Sequence, residues 1–179
     1  MAGTLTLKNI IEDMEVLRRK CTPVDSLDNG LLEELDAMLA MMYEAGGIGL
    51  AANQAGLTRR MIVIDLQRDG QKDPIFLLNP EILEKSGETK LGPEGCLSVP
   101  VTEKSDVRRS TWVKVRSRDR NGEEVILDAS GLLAVCLQHE IDHLDGILYI
   151  DHLSRLRRNF LVEKAESNLR RLGRVKRGG

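Results

Sequence analysis

Residues 132–144, LLAVCLQHEIDHL, make the most apolar helix-length stretch of the chain, yet they carry two of its three histidines. In a helix His139 and His143 lie four residues apart and share a face, so both imidazoles can reach one ion. Glu140 projects in a neighbouring direction, suited to hold a proton rather than a metal. His139-Glu140-Ile141-Asp142-His143 therefore reads as two metal ligands and a general base for hydrolysis. A surface helix with two solvated histidines is the alternative. The apolar setting, and the confinement of all histidines to positions 139–152, speak against it.

A third ligand must come from elsewhere. The long zinc-protease pattern would place a histidine where this sequence has Tyr149. His152 stands nine residues past His143, beyond Gly146, and misses ligand spacing. Cys136 shares the helical face, but residues seven apart are separated by roughly 10 Å along the axis. That is too far to converge on bonds of about 2 Å, and Cys136 reads as a wall beside the metal. Cys96 remains, in GPEGCLSVP (92–100), where Gly and Pro on both sides make a sharply shaped segment and Leu97-Ser98-Val99 reads as a short strand. One Cys and two His leave a position for water, the mark of a catalytic site. A thiol hydrolase with Cys96 as nucleophile, His139 as base and Gln54 as oxyanion donor is the rival. It leaves Glu140 and the second histidine unexplained.

The rest of the chain bounds the fold. With 179 residues, 41% hydrophobic and 30% charged, it fits one domain with a real core built on aliphatic side chains, because aromatics make up only 3%. No stretch is apolar enough to span a membrane. The amino terminus has no targeting layout, and three widely spaced cysteines give no disulfide framework, so a cytoplasmic home is expected. A helix is expected over Ser26–Ala45, opened by capping residues and stopped by Gly46-Gly47. MIVIDL (61–66), IFLLN (75–79), EILEKS (81–86), TWVKVRSRD (111–119) and EEVILDA (123–129) read as strands, and Asn121-Gly122 as a hairpin turn. A final amphipathic helix from Ser154 carries the stripe Leu156, Phe160, Leu161, Ala165, Leu169 and Leu172. The class expected is α+β, with antiparallel strands around a central metal-binding helix and a C-terminal amphipathic helix.

Gly47-Ile48-Gly49-Leu50-Ala51-Ala52-Asn53-Gln54, Glu94-Gly95-Cys96-Leu97-Ser98 and His139-Glu140-Ile141-Asp142-His143 follow one another in this order. Together they resemble the three signature motifs of the peptide deformylase family, and the likeness runs from about Val16 to the final helix. The resemblance implies the deformylase fold and removal of the formyl group from the N-formylmethionine of nascent peptides. It implies Cys96, His139 and His143 as ligands of Fe(II), replaceable by Zn(II), Ni(II) or Co(II). Glu140 would shuttle the proton, with the Gln54 amide and the Leu97 N–H as oxyanion donors. Gly47 and Gly49 would let backbone approach the substrate, while Ile48, Leu132, Val135 and Cys136 would line the methionine pocket. Glu94 would pair with Arg108 behind the metal. VTEKSDV, between Pro100 and Arg108, departs from the family pattern, which has an arginine or aromatic near Glu103. The departure concerns contacts beyond the methionine.

Charge is unevenly placed. Residues 155–179 hold nine Lys/Arg against two Glu, so this segment is +7 and the preceding residues −9 within a net charge of −2. This basic helix and tail has two readings, a contact with ribosomal RNA as in some bacterial relatives of the resembled family, or a solvated basic face with a disordered end; no membrane and no DNA partner is expected. Two further readings stay open. One is a metallopeptidase of another family, with a carboxylate or histidine as third ligand. The other is a binding protein with a structural metal, which needs a fourth protein ligand.

Overall fold

The computed structural model describes residues 5–173. Arg174, Lys176 and Arg177 of the basic tail lie outside the described residues. In chain order the elements are α1 (Met14–Arg18), α2 (Asn29–Glu44), β1 (Gly49–Ala51), β2 (Met61–Ile64), β3 (Ile75–Lys85), β4 (Thr89–Glu94), β5 (Ser105–Ser110), β6 (Trp112–Arg118), β7 (Glu124–Ser130), α3 (Gly131–Leu144) and α4 (Arg155–Arg171). Five strands form one sheet in the order β1-β2-β3-β6-β7, and β4 pairs with β5 in a second. Every pairing of these strands is antiparallel, as the α+β reading expected.

Local chemistry explains most boundaries. Asp28 caps α2 by accepting the Leu31 N–H at 2.7 Å. At the other end Gly46, at φ +70°, turns the chain so that Gly47 N–H meets Met42 O at 2.9 Å. Leu31, Leu35, Met38 and Met42 recur at helical spacing and are fully buried, each contributing about 1.5–3 kcal/mol of apolar transfer. β2 is buried on both faces, which is why Met61-Ile62-Val63-Ile64 reads as an unbroken apolar run.

Three expectations need correction. IFLLN and EILEKS are not two strands but the single strand β3, whose pairing slips between Leu78 and Glu81. Asn79 takes a positive φ of 53° at the slip, and its side chain clasps Val24 N at 2.7 Å and Val24 O at 2.8 Å. Leu97-Ser98-Val99 is a turn closed by Val99 N–H on Cys96 O at 3.0 Å, not a strand. In α4 only Leu161, Ala165 and Leu169 are buried, whereas Leu156 is 83% and Leu172 71% exposed. The helix buries apolar side chains only along its middle, and Phe160 is flanked instead by the cations of Arg157 and Lys164.

The core has two parts. The larger joins α2, α3 and the five-stranded sheet through residues such as Leu35, Ile62, Leu77 and Leu137. The smaller gathers Ile10, Leu17, Val99, Val107, Tyr149 and Leu161 from six separate segments, with Cys96 packed against it. Nine of the fourteen residues of α3 are buried. Its end is pinned by Asn53, whose Nδ2 donates to His143 O at 2.6 Å and to Leu17 O at 3.0 Å. Gly146 then passes so close to α1 that a Cβ there would stand 2.3 Å from Arg18 O. Among the described residues no helix is long and apolar enough to cross a membrane.

Candidate metal centre

Strand β4 ends at Glu94, and two residues later the chain presents the Cys96 thiol to the buried face of α3. Ligand atoms of Cys96, His139 and His143 all lie within 4.8 Å of one another, and Cys96 Sγ is 3.2 Å from His143 Nε2. The two imidazoles, one turn apart, have centroids 5.0 Å apart. One ion on three ligands with bonds of about 2.0–2.3 Å fits this spacing. The second nitrogen of His139 is taken, because Nδ1 meets Glu94 Oε2 at 2.8 Å. That contact leaves Nε2 for the cluster and supplies the carboxylate that metal-binding imidazoles ordinarily carry behind them. A thiol and two imidazoles form a soft donor set with one position to spare.

Electrostatics agree with the geometry. Burial drives the pKa of His143 well below its ordinary value, and the charge on His139 adds to the effect, so its ring is neutral and ready to ligate. Burial acts the same way on His139, but Cys96 and Glu94 override it and hold a proton there. A cation must displace that proton to bind. Burial would raise Glu94, yet hydrogen bonds from His139 and Arg109 hold it at about 2. Glu140 moves the other way: burial and the neighbouring Glu94 charge push it up to about 7, against the pull of His139. Cys136 is also pushed well above its usual value by burial and by Glu140, so it stays a thiol.

A cavity of about 390 Å³ opens over the cluster, lined by Gly47, Ile48, Gly49, Leu97, Leu132, Val135 and Cys136, with Glu94, Cys96, His139 and Glu140 also reaching it. His143 and Gln54 stand behind this lining, fully buried or nearly so. Gln54 has its amide orientation fixed by Ala51 N–H, which donates to Oε1 at 2.8 Å. Its Nε2 therefore faces Ser98 Oγ at 3.1 Å and Cys96 Sγ at 3.5 Å. The glycines have a nearer reason to be bare than contact with substrate. A Cβ on Gly49 would stand 2.5 Å from Glu140 Oε1, and one on Gly47 would stand 2.7 Å from Leu97 Cδ1.

One expected pair is wrong by a residue. Arg108 is exposed, and among the described residues its side chain donates to Thr89 Oγ1 alone, at 3.4 Å. Glu94 pairs with Arg109, through Nε at 2.8 Å and Nη2 at 3.1 Å. Side chains alternate along β5, so only Arg109 faces inward toward α3. Sequence reasoning also passed over the braces. Ser98 holds Gln54, Tyr149 stacks on His139 at 5.9 Å, and residues 8–10 tie Gln54 O and Ser98 O through the N–H groups of Lys8 and Ile10. Ser98 lay inside a motif and could have been flagged. The others left no local signal.

What this frame and its ligand group define is a class, the metal-dependent hydrolases that keep one coordination position free. The sequence profile of polypeptide deformylase matches residues 7–159. A peptide deformylase of Alkalilimnicola ehrlichii is 46% identical over 163 residues, 91% of this chain and 90% of the relative. One from Phenylobacterium zucineum is 48% identical over 153 residues, 85% and 90% of the two chains. Among solved structures, a peptide deformylase from Legionella pneumophila superposes with a TM-score of 0.89 at 38% identity, covering 97% of this chain and all of that one. One from Synechococcus elongatus in complex with actinonin gives 0.85 at 41% identity, covering 93% and 90%. The chain belongs to the polypeptide deformylase family.

Two outcomes are expected. Arg109→Leu should cost about 3–5 kcal/mol in urea unfolding, because it strands a buried carboxylate, whereas Arg108→Leu should stay within ~0.5 kcal/mol of the parent. Equal costs would reject the register. In the metal-free protein a Glu140 pKa raised to about 7 from 4.5 means that the native state binds the extra proton. Its penalty is absent below pH 4.5 and complete above pH 7. Glu140→Gln should therefore match the parent near pH 4.5 and exceed its stability by roughly 3 kcal/mol at pH 8. An equal gap at both pH values would show that Glu140 is not perturbed.

Proposed function

We propose that this site hydrolyses the formyl amide of N-formylmethionine at the start of newly made polypeptides, in the cytoplasm, with Cys96, His139 and His143 holding Fe(II). The observation that carries the reading is one thiol and two imidazoles within 4.8 Å, with the near-neutral carboxyl of Glu140 beside them. Zn(II), Ni(II) or Co(II) suits the same donors. When bound, the ion supplies a Lewis acid that makes water nucleophilic at neutral pH.

The chain's own residues do the rest. Glu140, with Oε2 buried and unpartnered, takes a proton from the attacking water as its oxygen bonds to the formyl carbon. The Gln54 amide and the Leu97 N–H donate to the oxygen that gains charge. As the carbon–nitrogen bond breaks, Glu140 returns the proton to the leaving amine, and formate departs. Burial disfavours the charged form of Glu140 in the metal-free chain, which suits a group that takes and gives back one proton in each turnover. Ile48, Leu132, Val135 and Cys136 receive the methionine side chain, with Leu132 at the rim, where it is 55% exposed. Glu94, braced by Arg109, orients His139.

A second contact is proposed for the basic helix. Arg155, Arg158, Arg170 and Arg171 of α4 are exposed, on the same side of the charge asymmetry that the sequence shows. Exposed cations on one helix suit ribosomal RNA.

Formate release from formyl-Met-Ala-Ser, by protein purified anaerobically and loaded with iron, tests the chemistry beside acetyl-Met-Ala-Ser. Release from the formyl peptide alone is expected, with Glu140→Ala about 10²–10⁴-fold slower and Cys96→Ser inactive through loss of metal. No release from metallated protein would reject the reading. Replacing Arg155, Arg158, Arg170 and Arg171 by Gln, together with removal of residues 173–179, should weaken ribosome co-sedimentation at low salt and leave hydrolysis unchanged, and undiminished co-sedimentation would remove the docking proposal.

A further inference from the structure

Behind His139 lies a ring of charge that the reaction itself does not touch. Glu94 meets His139 Nδ1 at 2.8 Å and takes Arg109 on both oxygens. The remaining arginine nitrogen, Nη1, reaches Asp142 Oδ2 at 2.5 Å. Asp142 follows His139 by three residues on the same helix. The contacts therefore close a circuit from α3 through β4 and β5 and back to α3. From outside the circuit, His152 Nε2 meets the same Asp142 oxygen at 2.8 Å, carried there by the turn Tyr149–His152.

The charges do not balance. Two carboxylates flank one guanidinium, which leaves a net −1 behind the imidazole. Glu94 and Arg109 are buried, whereas the Asp142 side chain is 22% exposed and that of His152 is 36%. With Asp142 holding one edge of the guanidinium, Arg109 does not neutralise Glu94 in full. Glu94 then keeps negative charge to place behind His139, where it favours a cation on the other nitrogen. His152 packs on the most exposed polar group of the circuit and keeps its oxygen on Arg109.

We propose that Asp142 and His152 are positioning residues of the metal centre: by holding Arg109 they set the charge that Glu94 presents to His139, and so the affinity of the Cys96–His139–His143 group for a divalent cation. The inference rests on the reading of those three residues as ligands. It differs from a mechanical brace between α3 and β5, which needs shape and hydrogen bonds but no net charge.

Titration of metal-free protein with Co(II) against a competing chelator separates the two. Cobalt absorption bands report thiolate and imidazole ligation directly. Asp142→Asn keeps the shape and removes the charge, and Asp142→Glu keeps the charge and alters the shape. Cobalt affinity is expected to fall about 10- to 100-fold in Asp142→Asn and to stay within about threefold of the parent in Asp142→Glu. His152→Phe should lose about threefold, and the double variant Asp142→Asn/His152→Phe should be no weaker than Asp142→Asn alone. Affinity within twofold of the parent in Asp142→Asn, or tighter binding by Asn than by Glu, would overturn the proposal, as would a lowered Tm with unchanged affinity. If the parent and Cys96→Ser give the same cobalt spectrum, the ligand assignment itself fails, a result distinct from the others.

Discussion

The contact between His139 and the buried Glu94 carboxylate is the joint on which this site depends. It fixes the tautomer of one imidazole, and it fastens the end of β4 to the middle of α3. Cys96 sits two residues beyond Glu94, so the same contact delivers the thiol to the histidines. Burial makes this contact costly unless the charge is answered, and Arg109 answers it. The second sheet exists to bring these two residues together. β4 pairs with β5 alone and contains Gly92 and Pro93, residues that a longer ladder would not favour.

The two parts of the core meet at Cys96, His139 and His143. His139 and His143 ride on α3, whose apolar face packs into the larger cluster, while Cys96 leans on the smaller one. Neither cluster places all three donors. Residues far from the chemistry hold the two parts in register: Asn53 on the carbonyl of His143, Arg60 on Asp145, and the segment 8–10 on Gln54 and Ser98. These are hydrogen bonds to backbone groups and an ion pair, and they permit little drift of one part against the other. A site whose donor atoms must converge to within a few tenths of an ångström needs that stiffness.

Opposite environments divide the carboxylates by role. Glu94 faces a guanidinium and an imidazole and is held at about 2, a permanent anion. Glu140, one residue from His139, is buried with an unpartnered oxygen and sits at about 7. The bare backbone of Gly49 leaves just enough room for it. One acid therefore holds the structure and the other is free to exchange a proton, although both belong to the same cluster.

Much of this was legible in the sequence because it rests on local rules. Helical spacing put His139 and His143 on one face, the rise along the axis separated Cys136 from them, and glycines marked the ends of α2 and α3. Family likeness in three short motifs covered Gln54, Cys96 and Glu140. What local rules could not reach was parity and partnership. SDVRRS carries no alternation of apolar and polar residues strong enough to announce a strand, so nothing in the order of residues said which of Arg108 and Arg109 turned inward. TKLGPE, with Gly92 and Pro93 inside it, was not expected as a strand, and it is one through its pairing with β5. Spacing along one helix is a property of the chain itself. The circuit through Glu94, Arg109 and Asp142 instead joins three elements distant in sequence, and which side chain each one offers is decided only when their packing fixes the register.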